Sequence, residues 1–244
     1  MNPPPNFNRL ARLYLWMELV SFGPWLMLCR CAFLKECRAA RRALALGDGD
    51  GRFTARLLRQ NSAIQIDAVD VSPAMLEALV HRAGTDTNRV HAFHADIRSW
   101  KPHGPPYDLI VSHFFLDCLT TEEIQSLAAT LAHAVSPNSF WIVSEFAIPA
   151  NWFGRLIARP VVWTLYRAFG WITGLQVRSL PDHSIALREV GFTLQERRHL
   201  LGGLLISELW TLAPTSPGAG DSAFREPIPN AIRTTSITST SALR

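Results

Sequence analysis

Residues 41–58, RRALALGDGDGRFTARLL, decide the fold of this 244-residue chain. An apolar run from Ala43 to Leu46 is followed by a turn with three alternating glycines and then by a helical pattern. Glycine permits a positive φ angle and allows backbone N–H groups to approach a ligand closely. The stretch therefore predicts a strand, a ligand-binding turn and a helix in immediate succession.

The charge of this turn indicates which cofactor it accepts. Dinucleotide sites use the spacing G-x-G-x-x-G, but counting from Gly47 places Arg52 at the third glycine position. The turn also carries Asp48 and Asp50, whose negative charges oppose the approach of a pyrophosphate. S-adenosylmethionine has no phosphate and carries a sulfonium and an ammonium group against one carboxylate. It is therefore the cofactor that better matches an acidic turn.

Further strand and helix patterns alternate along the chain, which predicts an α/β protein with a parallel sheet. Near the end, Gly202 and Gly203 separate two strand patterns, which predicts a terminal hairpin. The predicted strands are Ala43–Leu46, Ile64–Val69, Val90–His94, Leu109–Ser112, Phe140–Glu145, Phe192–Leu200 and Leu204–Leu212. The predicted helices are Phe53–Arg59, Pro73–Arg82, Thr121–Val135 and Ile185–Val190.

Five motifs, in this order, resemble the cofactor and strand motifs of class I S-adenosylmethionine-dependent methyltransferases: LALGDGDG, VDVSPAML, HADI, YDLIVSHFFLD and FWIVSEF. The resemblance covers roughly residues 41–212. It implies a Rossmann-like, doubly wound sheet, mostly parallel with an antiparallel last strand, plus N-terminal helices and a helical insertion after the fifth strand. The overall pattern is also similar to ubiquinone and menaquinone C-methyltransferase relatives.

The resemblance further implies a cofactor site at the carboxyl ends of the strands. The three glycines of the turn would line the methionine portion, and Asp70 would accept hydrogen bonds from both ribose hydroxyls. Asp96 would receive the adenine amino group, while Met75 and Ile97 would pack on the purine faces. The complete set expected to bind cofactor is Gly47, Asp48, Gly49, Asp50, Gly51, Asp70, Val71, Met75, Asp96, Ile97 and Ser112.

One position departs from the family pattern. An acidic residue is usual two positions before the first glycine, and Ala45 stands there in this chain. Asp48 or Asp50 is the remaining carboxylate that could face the ammonium group of the cofactor. Each acidic residue also has a structural interpretation, since Asp70 is equally suited to cap the helix that begins near Ser72.

Candidate catalytic residues follow the fourth and fifth strands. Methyl transfer from a sulfonium is an in-line displacement, so alignment in a dry pocket supplies much of the rate. A phenol, hydroxyl or acidic carbon as acceptor also requires a base, for which His113, Asp117 and Glu145 are the candidates. His113 is preferred because imidazole titrates near neutral pH, although a histidine that is merely hydrogen-bonded at a strand end fits the sequence equally well. No metal site is predicted.

Three segments lie outside the predicted strands and helices of the core. Residues 1–40 are expected to form a helical cap of two helices over the cofactor edge, and residues 213–244, rich in Ser, Thr and Pro, are expected to be disordered. Residues 151–180 contain no acidic side chain and alternate arginines with aromatic rings. This insertion fits three roles: packing on the sheet, a lid over the substrate, or contact with a membrane surface.

Length and composition agree with one catalytic domain and argue against a nucleic-acid partner. A net charge of +4, with 24 basic against 20 acidic residues, gives no dense patch for nucleic acid. Four cysteines without zinc-type spacing predict a reduced, cytoplasmic setting, with peripheral contact at the inner face of the membrane left open. The predicted function is methyl transfer from S-adenosylmethionine to a small apolar or aromatic acceptor: quinone-like, lipid or secondary metabolite. The alternatives are a non-catalytic S-adenosylmethionine-binding module and an NAD-dependent oxidoreductase.

Overall fold

The computed structural model describes residues 22–152, 154–164 and 181–213. The strands in these ranges are β1 Arg42–Leu46, β2 Gln65–Asp70, β3 Val90–His94, β4 Tyr107–His113, β5 Val135–Phe146, β6 Phe192–Leu200 and β7 Leu205–Leu212. They form one sheet in the order β3-β2-β1-β4-β5-β7-β6. Neighbouring strands from β3 to β5 are parallel, whereas β7 is antiparallel to both β5 and β6. The predicted doubly wound sheet and its antiparallel last strand are confirmed.

The helices begin where the sequence provides caps. The Ser72 hydroxyl accepts from the backbone N–H of Met75, and Pro73 occupies the first position of its helix. Thr120 and Glu123 form a reciprocal capping box at the start of another helix. The helices are α1 Trp25–Arg30, α2 Arg52–Gln60, α3 Pro73–Ala83, α4 Thr121–Ala132 and α5 His183–Glu189, and a π-helical turn, Gly154–Ala158, leads into helical residues 159–164.

Apolar side chains are buried on both faces of the sheet, as expected for parallel strands covered by helices. Along β1, Ala43 and Ala45 join the core that contains α2 and α3, whereas Leu44 and Leu46 join the core that contains α4 and α5. This alternation follows from the two-residue period of a strand. The helices are held on the sheet by these two cores, so the strand ends form a rigid platform.

The N-terminal segment docks on the antiparallel end of the sheet. Within the described residues it contains one helix, α1, followed by a 3-10 turn at Glu36–Ala39. On α1, Leu26 and Cys29 pack against Leu205 of β7, and the Cys29 thiol donates to the carbonyl oxygen of Ile206 at 3.2 Å. The second predicted helix of the cap would fall in residues 1–21, which lie outside the described part of the chain.

Most boundaries differ from the predicted ones by one or two residues, and the larger differences are at the helix predicted over Thr121–Val135 and at β5, which begins five residues before the predicted Phe140. The helix expected over Thr121–Val135 ends at Ala132, because Val135 already begins β5 and pairs with Tyr107 of β4.

The predicted tail at 213–244 and most of the insertion at 151–180 fall outside the described residues, so their roles stay predictions. Among the helices that the structure describes, none is long and apolar enough to cross a membrane.

Candidate active site

The predicted site residues lie at the carboxyl ends of the parallel strands. The glycine turn follows β1, Asp70 ends β2, and Asp96 comes two residues after β3. His113 ends β4, and Glu145 lies near the end of β5. In open α/β sheets this edge is where ligands bind, so the topology brings the candidates to one side of the molecule.

Two glycines of the turn are required by their surroundings. A Cβ atom on Gly47, whose φ angle is +58°, would lie 2.2 Å from Cδ2 of the Phe115 ring. A Cβ atom on Gly51, at φ +75°, would lie 2.6 Å from Cγ of Leu79. The middle glycine, Gly49, also has a positive φ angle of +59°, but its nearest neighbour would be Met75 Sδ at 3.9 Å. The turn is therefore crowded from the Phe115 and α3 sides and open at its centre.

Asp48 combines a structural contact with an unsatisfied oxygen. Its Oδ2 accepts from the backbone N–H of Thr54 at 3.0 Å, in the first turn of α2, where the cap residue Gly51 has no side chain. Its Oδ1 is buried and has no hydrogen-bond partner among the described residues. Burial raises the pKa of Asp48 to about 6, against the hydrogen bonds from Thr54 and the nearby charge of Arg30. A buried oxygen without a partner costs free energy, which indicates a polar ligand at this point.

Asp50, by contrast, is neutralised by arginines. Its Oδ2 accepts from Arg52 Nε at 3.0 Å and from Arg82 Nη2 at 2.8 Å. Arg82 stands near the end of α3, so Asp50 ties the turn to that helix. Of the two acidic residues in the turn, Asp48 is the one whose charge is left to act on a ligand.

Asp70 is held by its own chain. Its Oδ1 accepts from the backbone N–H of Ser72 at 2.8 Å. Burial raises the pKa of Asp70 to about 6, opposed by this hydrogen bond and reinforced by the charge of Asp48. Asp70 does not cap α3, because Ser72 is the cap residue; its carboxylate instead orders the turn before that helix. The predicted contact with ribose hydroxyls stays a prediction.

Asp96 is engaged by a residue that the sequence reasoning missed. The Arg98 guanidinium donates from Nε to both carboxylate oxygens of Asp96, at 2.9 and 3.0 Å, and the Arg98 backbone N–H donates to Oδ1 at 3.0 Å. These hydrogen bonds hold the pKa of Asp96 below its usual range. A ligand amino group at Asp96 would share the carboxylate with Arg98. The D-x-R spacing of residues 96–98 was the available signal.

The remaining residues of the predicted cofactor set lie around this edge. Met75 and Ile97 are both buried. Val71 contributes its carbonyl oxygen, 3.1 Å from His94 Nε2. Ser112 is completely buried, and its hydroxyl accepts from Trp141 Nε1 at 3.0 Å, so that side chain is committed to the core.

Burial changes the chemistry of His113. Only 3% of the residue is exposed, its Nδ1 lies 3.0 Å from the Ser144 hydroxyl, and its ring packs edge-on against Phe53 with centroids 4.4 Å apart. Burial, aided by the charge of Arg30, lowers the pKa of His113 to about 3. The imidazole is therefore neutral near pH 7 and a weak base. Titration near neutral pH, the property that favoured His113 from the sequence, is lost in this environment.

Glu145 and Asp117 bring two carboxyl groups together. Glu145 is 3% exposed; its Oε1 accepts from the backbone N–H groups of Phe115 at 3.2 Å and Leu116 at 2.9 Å. Its Oε2 is buried with no hydrogen-bond partner among the described residues. Burial raises the pKa of Glu145 well above its usual range, and the nearby charge of Asp117 raises it further. Glu145 therefore holds its proton more tightly than an exposed glutamate does, and it lies next to a second acidic residue.

A cavity of about 410 Å³ opens beside this pair. Asp117 and Glu145 form one wall, the start of α5 forms another, and the facing ends of β6 and β7 complete it. His113 is not among its lining residues. The ionisable groups that line the cavity are Asp117, Glu145, Asp182, His183, Arg197, His199 and Glu208.

One wall of this cavity is a hydrogen-bonded network around Glu208. The Glu208 carboxylate, completely buried on β7, accepts from Arg197 Nε at 2.6 Å and from Trp210 Nε1 at 2.8 Å, and lies 2.8 Å from His183 Nε2. Burial favours a raised pKa, but these partners outweigh it and hold the pKa of Glu208 below its usual range. The sequence signal for this network is an acidic residue within the apolar run LISELWTL.

Comparison with known proteins agrees with this architecture. Residues 43–138 match the family model described as "Methyltransferase domain". A trans-aconitate 2-methyltransferase of Mycobacterium tuberculosis (strain ATCC 25177 / H37Ra) is 30% identical over 157 residues, which cover 62% of this chain and 56% of the relative. A trans-aconitate 2-methyltransferase of Rhodococcus jostii (strain RHA1) is 29% identical over 151 residues, 60% of this chain and 50% of the relative. The chain thus spans about half the length of these curated relatives.

Solved structures share the fold at low identity. An O-methyltransferase family protein from Burkholderia thailandensis superposes with a TM-score of 0.64 at 15% identity, over 85% of this chain and 61% of that one. The N-methyltransferase NodS from Bradyrhizobium japonicum WM9, in complex with S-adenosyl-L-homocysteine, gives a TM-score of 0.54 at 17% identity, over 83% of this chain and 98% of that one. The resemblance inferred from the five sequence motifs is confirmed.

Proposed function

The chain contains a class I S-adenosylmethionine-dependent methyltransferase domain, and we propose that it transfers the methyl group to a small-molecule acceptor bound beside Glu145. One observation carries the proposal: the glycine turn holds a buried carboxylate oxygen of Asp48 that has no hydrogen-bond partner among the described residues, and the buried Asp70 carboxyl ends the neighbouring strand. Two such carboxyl groups favour a cofactor with net positive charge and oppose a pyrophosphate.

The residues of the turn fit this cofactor by their chemistry. Asp48 Oδ1 would accept from the ammonium group, and the backbone N–H groups at the start of α2 would receive the carboxylate. Asp70 would hold the ribose hydroxyls, and Met75 and Ile97 would pack on the purine. When bound, S-adenosylmethionine supplies an electrophilic methyl group on a positively charged sulfur.

The rest of the site would position the acceptor and handle its proton. The cavity beside Glu145 would align the acceptor atom, which supplies a large part of the catalytic effect. Asp117 and Glu145 face this cavity, whereas His113 lies in the interior with a depressed pKa. We therefore place proton removal on the carboxyl pair and give His113 the task of holding the end of β4 through Ser144.

The nature of the acceptor is drawn from the cavity and the relatives. The sequence predicted an apolar or aromatic acceptor, but seven ionisable side chains line the cavity, which favours a polar one. The curated relatives carry names that specify trans-aconitate.

A transfer assay with labelled S-adenosylmethionine and a small-molecule extract tests the function. Labelled product with the parent chain, and much less with Asp70→Ala at a cofactor concentration near the dissociation constant of the parent, supports the proposal. Cofactor binding without any transfer supports the non-catalytic module.

Cofactor affinity is expected to depend on pH. Without ligand, Asp48 and Asp70 have pKa values raised to about 6 by burial. A cationic ligand stabilises their ionised forms and lowers these values, so binding releases protons and affinity increases as pH rises through 6. Between pH 7 and pH 5 we expect a loss of up to about tenfold per carboxyl group.

Calorimetric titrations at several pH values measure this dependence. S-adenosylmethionine should show a steeper loss than S-adenosylhomocysteine, which lacks the sulfonium charge. The control is Asp48→Asn, which keeps an oxygen for the Thr54 N–H and removes one titrating group. Parallel pH profiles for the two ligands, or an unchanged slope in Asp48→Asn, would contradict the assignment.

Membrane contact through the insertion is a second proposal. In the described part of this segment, Trp152, Leu156 and Trp163 expose 64%, 71% and 61% of their surface, and Arg155 and Arg159 are exposed beside them. Exposed tryptophans next to arginines match the interface of an anionic membrane. The opposite side of the segment packs Ala158 and Val162 against Leu204.

Vesicle flotation tests this contact. The triple variant with Trp152, Leu156 and Trp163 changed to alanine should reduce binding to anionic vesicles at least about fivefold, since each buried apolar side chain contributes roughly 1.5–3 kcal/mol. Ile185→Ala, an exposed apolar residue on α5, is the matched control and should not reduce binding. If the parent chain itself stays in the soluble fraction, the membrane proposal is wrong.

A further inference from the structure

We propose that the 410 Å³ cavity beside Glu145 is an ammonium-binding pocket and that the acceptor is a small amine, methylated on nitrogen. The inference rests on the proposed function, because it assigns the acceptor of the same site. It concerns a pocket formed by the ends of β5, β6 and β7 and by the start of α5.

The charges that line the cavity favour a cation. Four of its lining residues are acidic, Asp117, Glu145, Asp182 and Glu208, against one arginine and two histidines. The arginine, Arg197, is already bound to Glu208 through a 2.6 Å hydrogen bond. Among the described residues that line the cavity, the one arginine is bound to Glu208. An anionic acceptor would therefore be repelled by the acidic walls.

The two histidines do not change this balance. His183 lies 2.8 Å from the same Glu208 carboxylate, so its ring faces that network. His199, near the end of β6, is exposed at the rim. Asp182 caps α5 by accepting from the Ser184 backbone N–H at 3.0 Å, so its carboxylate too is partly engaged. Glu145 is therefore the carboxyl group on which the binding of a ligand depends.

Glu145 provides the independent sign of a ligand. Its side chain is almost completely buried, one oxygen holds the turn after β4, and the other has no hydrogen-bond partner among the described residues although the residue lines the cavity. Leaving such an oxygen without a donor is costly. An ammonium ion next to Glu145 favours the ionised carboxylate, so its N–H group donates to this oxygen, and the charge of Asp117 stabilises the bound cation.

The pair would also accept the proton that the reaction requires. An ammonium ion bound at the pair gives one proton to a carboxylate and becomes an amine with a free electron pair. The amine nitrogen attacks the methyl carbon, the N–C bond forms as the C–S bond breaks, and the electron pair of the broken bond stays on sulfur. The products are a methylated ammonium ion and a neutral thioether, and the proton held by the pair returns to solvent.

Binding of three small probes of equal length tests the pocket. The full chain is first saturated with S-adenosylhomocysteine, and n-butylamine, 1-butanol and butanoate are then titrated by calorimetry at neutral pH, up to about 20 mM to cover millimolar affinities. We expect butylamine to bind at least about tenfold more tightly than butanoate, because the carboxyl pair attracts the butylammonium ion and repels the butanoate anion. Tighter or equal binding of butanoate, or no butylamine binding in this range, overturns the proposal.

Substitutions locate the binding group. Glu145→Gln keeps an oxygen for the backbone N–H groups of the turn and removes the acid, and we expect butylamine affinity to fall at least about fivefold. The matched control is Asp182→Asn, which removes a charge from the same cavity and preserves the helix cap, and it should change affinity less than about twofold. If the two variants lower butylamine affinity equally, the loss reflects the overall charge of the cavity, and the assignment to Glu145 is overturned.

These experiments separate failure of the pocket from failure of the proposed function. If the chain does not bind S-adenosylhomocysteine, the proposed function itself is wrong. If S-adenosylhomocysteine binds and butylamine does not, the methyltransferase proposal survives and the ammonium pocket is wrong. Methyl transfer from labelled S-adenosylmethionine to trans-aconitate, with none to a panel of primary amines, likewise overturns the ammonium pocket and leaves the methyltransferase proposal standing.

Discussion

Replacing Gly47 by alanine is expected to remove measurable cofactor binding and to destabilise the domain by at least about 2 kcal/mol. The residue has a φ angle of +58°, which costs an alanine roughly 1–2 kcal/mol. Its Cβ atom would lie 2.2 Å from the Phe115 ring, and such overpacking adds typically about 1–3 kcal/mol. Either the ring or the turn must move, and both border the cofactor. Thermal unfolding and calorimetry with S-adenosylhomocysteine measure the two effects.

Gly49→Ala is the matched control. Its φ angle of +59° imposes the same backbone strain, but the added Cβ atom lies 3.9 Å from its nearest neighbour, Met75 Sδ. We expect a loss of about 1–2 kcal/mol in stability from the strain alone. Similar losses of stability in the two variants would show that the contact with Phe115 does not restrict the turn.

Asp70→Ala is expected to lower the affinity for S-adenosylhomocysteine by about 1.5–3 kcal/mol, or roughly tenfold to 150-fold, as for lost hydrogen bonds to a charged group. The fold should survive. The folded-state pKa of Asp70 is raised to about 6, so its ionised form destabilises the ligand-free protein above its unfolded pKa. Removing the charge therefore relieves a cost near pH 7, which partly offsets the lost contact with the Ser72 N–H.

Asp70→Asn separates these contributions. The amide oxygen still accepts from Ser72, while the charge on the ribose side is absent. Calorimetry should find weaker binding for Asn than for Asp, and thermal unfolding should find the ligand-free Asn variant at least as stable as the parent at pH 7. Unchanged affinity in both Asp70 variants would mean that the ribose binds elsewhere.

The parts of the fold that depend on local pattern could be predicted from the sequence. The glycine turn, the cap at Ser72 and the capping box at Thr120 each depend on residues within a few positions of one another. The terminal hairpin was marked by adjacent glycines at 202 and 203. The end of the helix before Val135 was missed, because a β-branched residue in an apolar run suits either element and only its pairing with Tyr107 decides.

The site was less predictable because its electrostatics depend on contacts between distant residues. Asp50 and Asp48 are equivalent in the sequence pattern. In the structure, Arg82 of α3, 32 positions further along the chain, binds Asp50. His113 looked suited to neutral pH because its burial against Phe53 could not be read from its neighbours. The cavity around Glu208 requires β6 and β7 to pair and α5 to pack beside them, which no short motif encodes.

Calorimetric titration of the chain with S-adenosylmethionine, S-adenosylhomocysteine and NAD tests the central claim most directly. We predict about micromolar dissociation constants for the first two, near 8 kcal/mol of binding free energy, because the acidic turn suits a phosphate-free cofactor. We predict no binding of NAD, whose pyrophosphate would meet the Asp48 carboxylate. Binding of NAD without binding of either sulfur compound would contradict this claim.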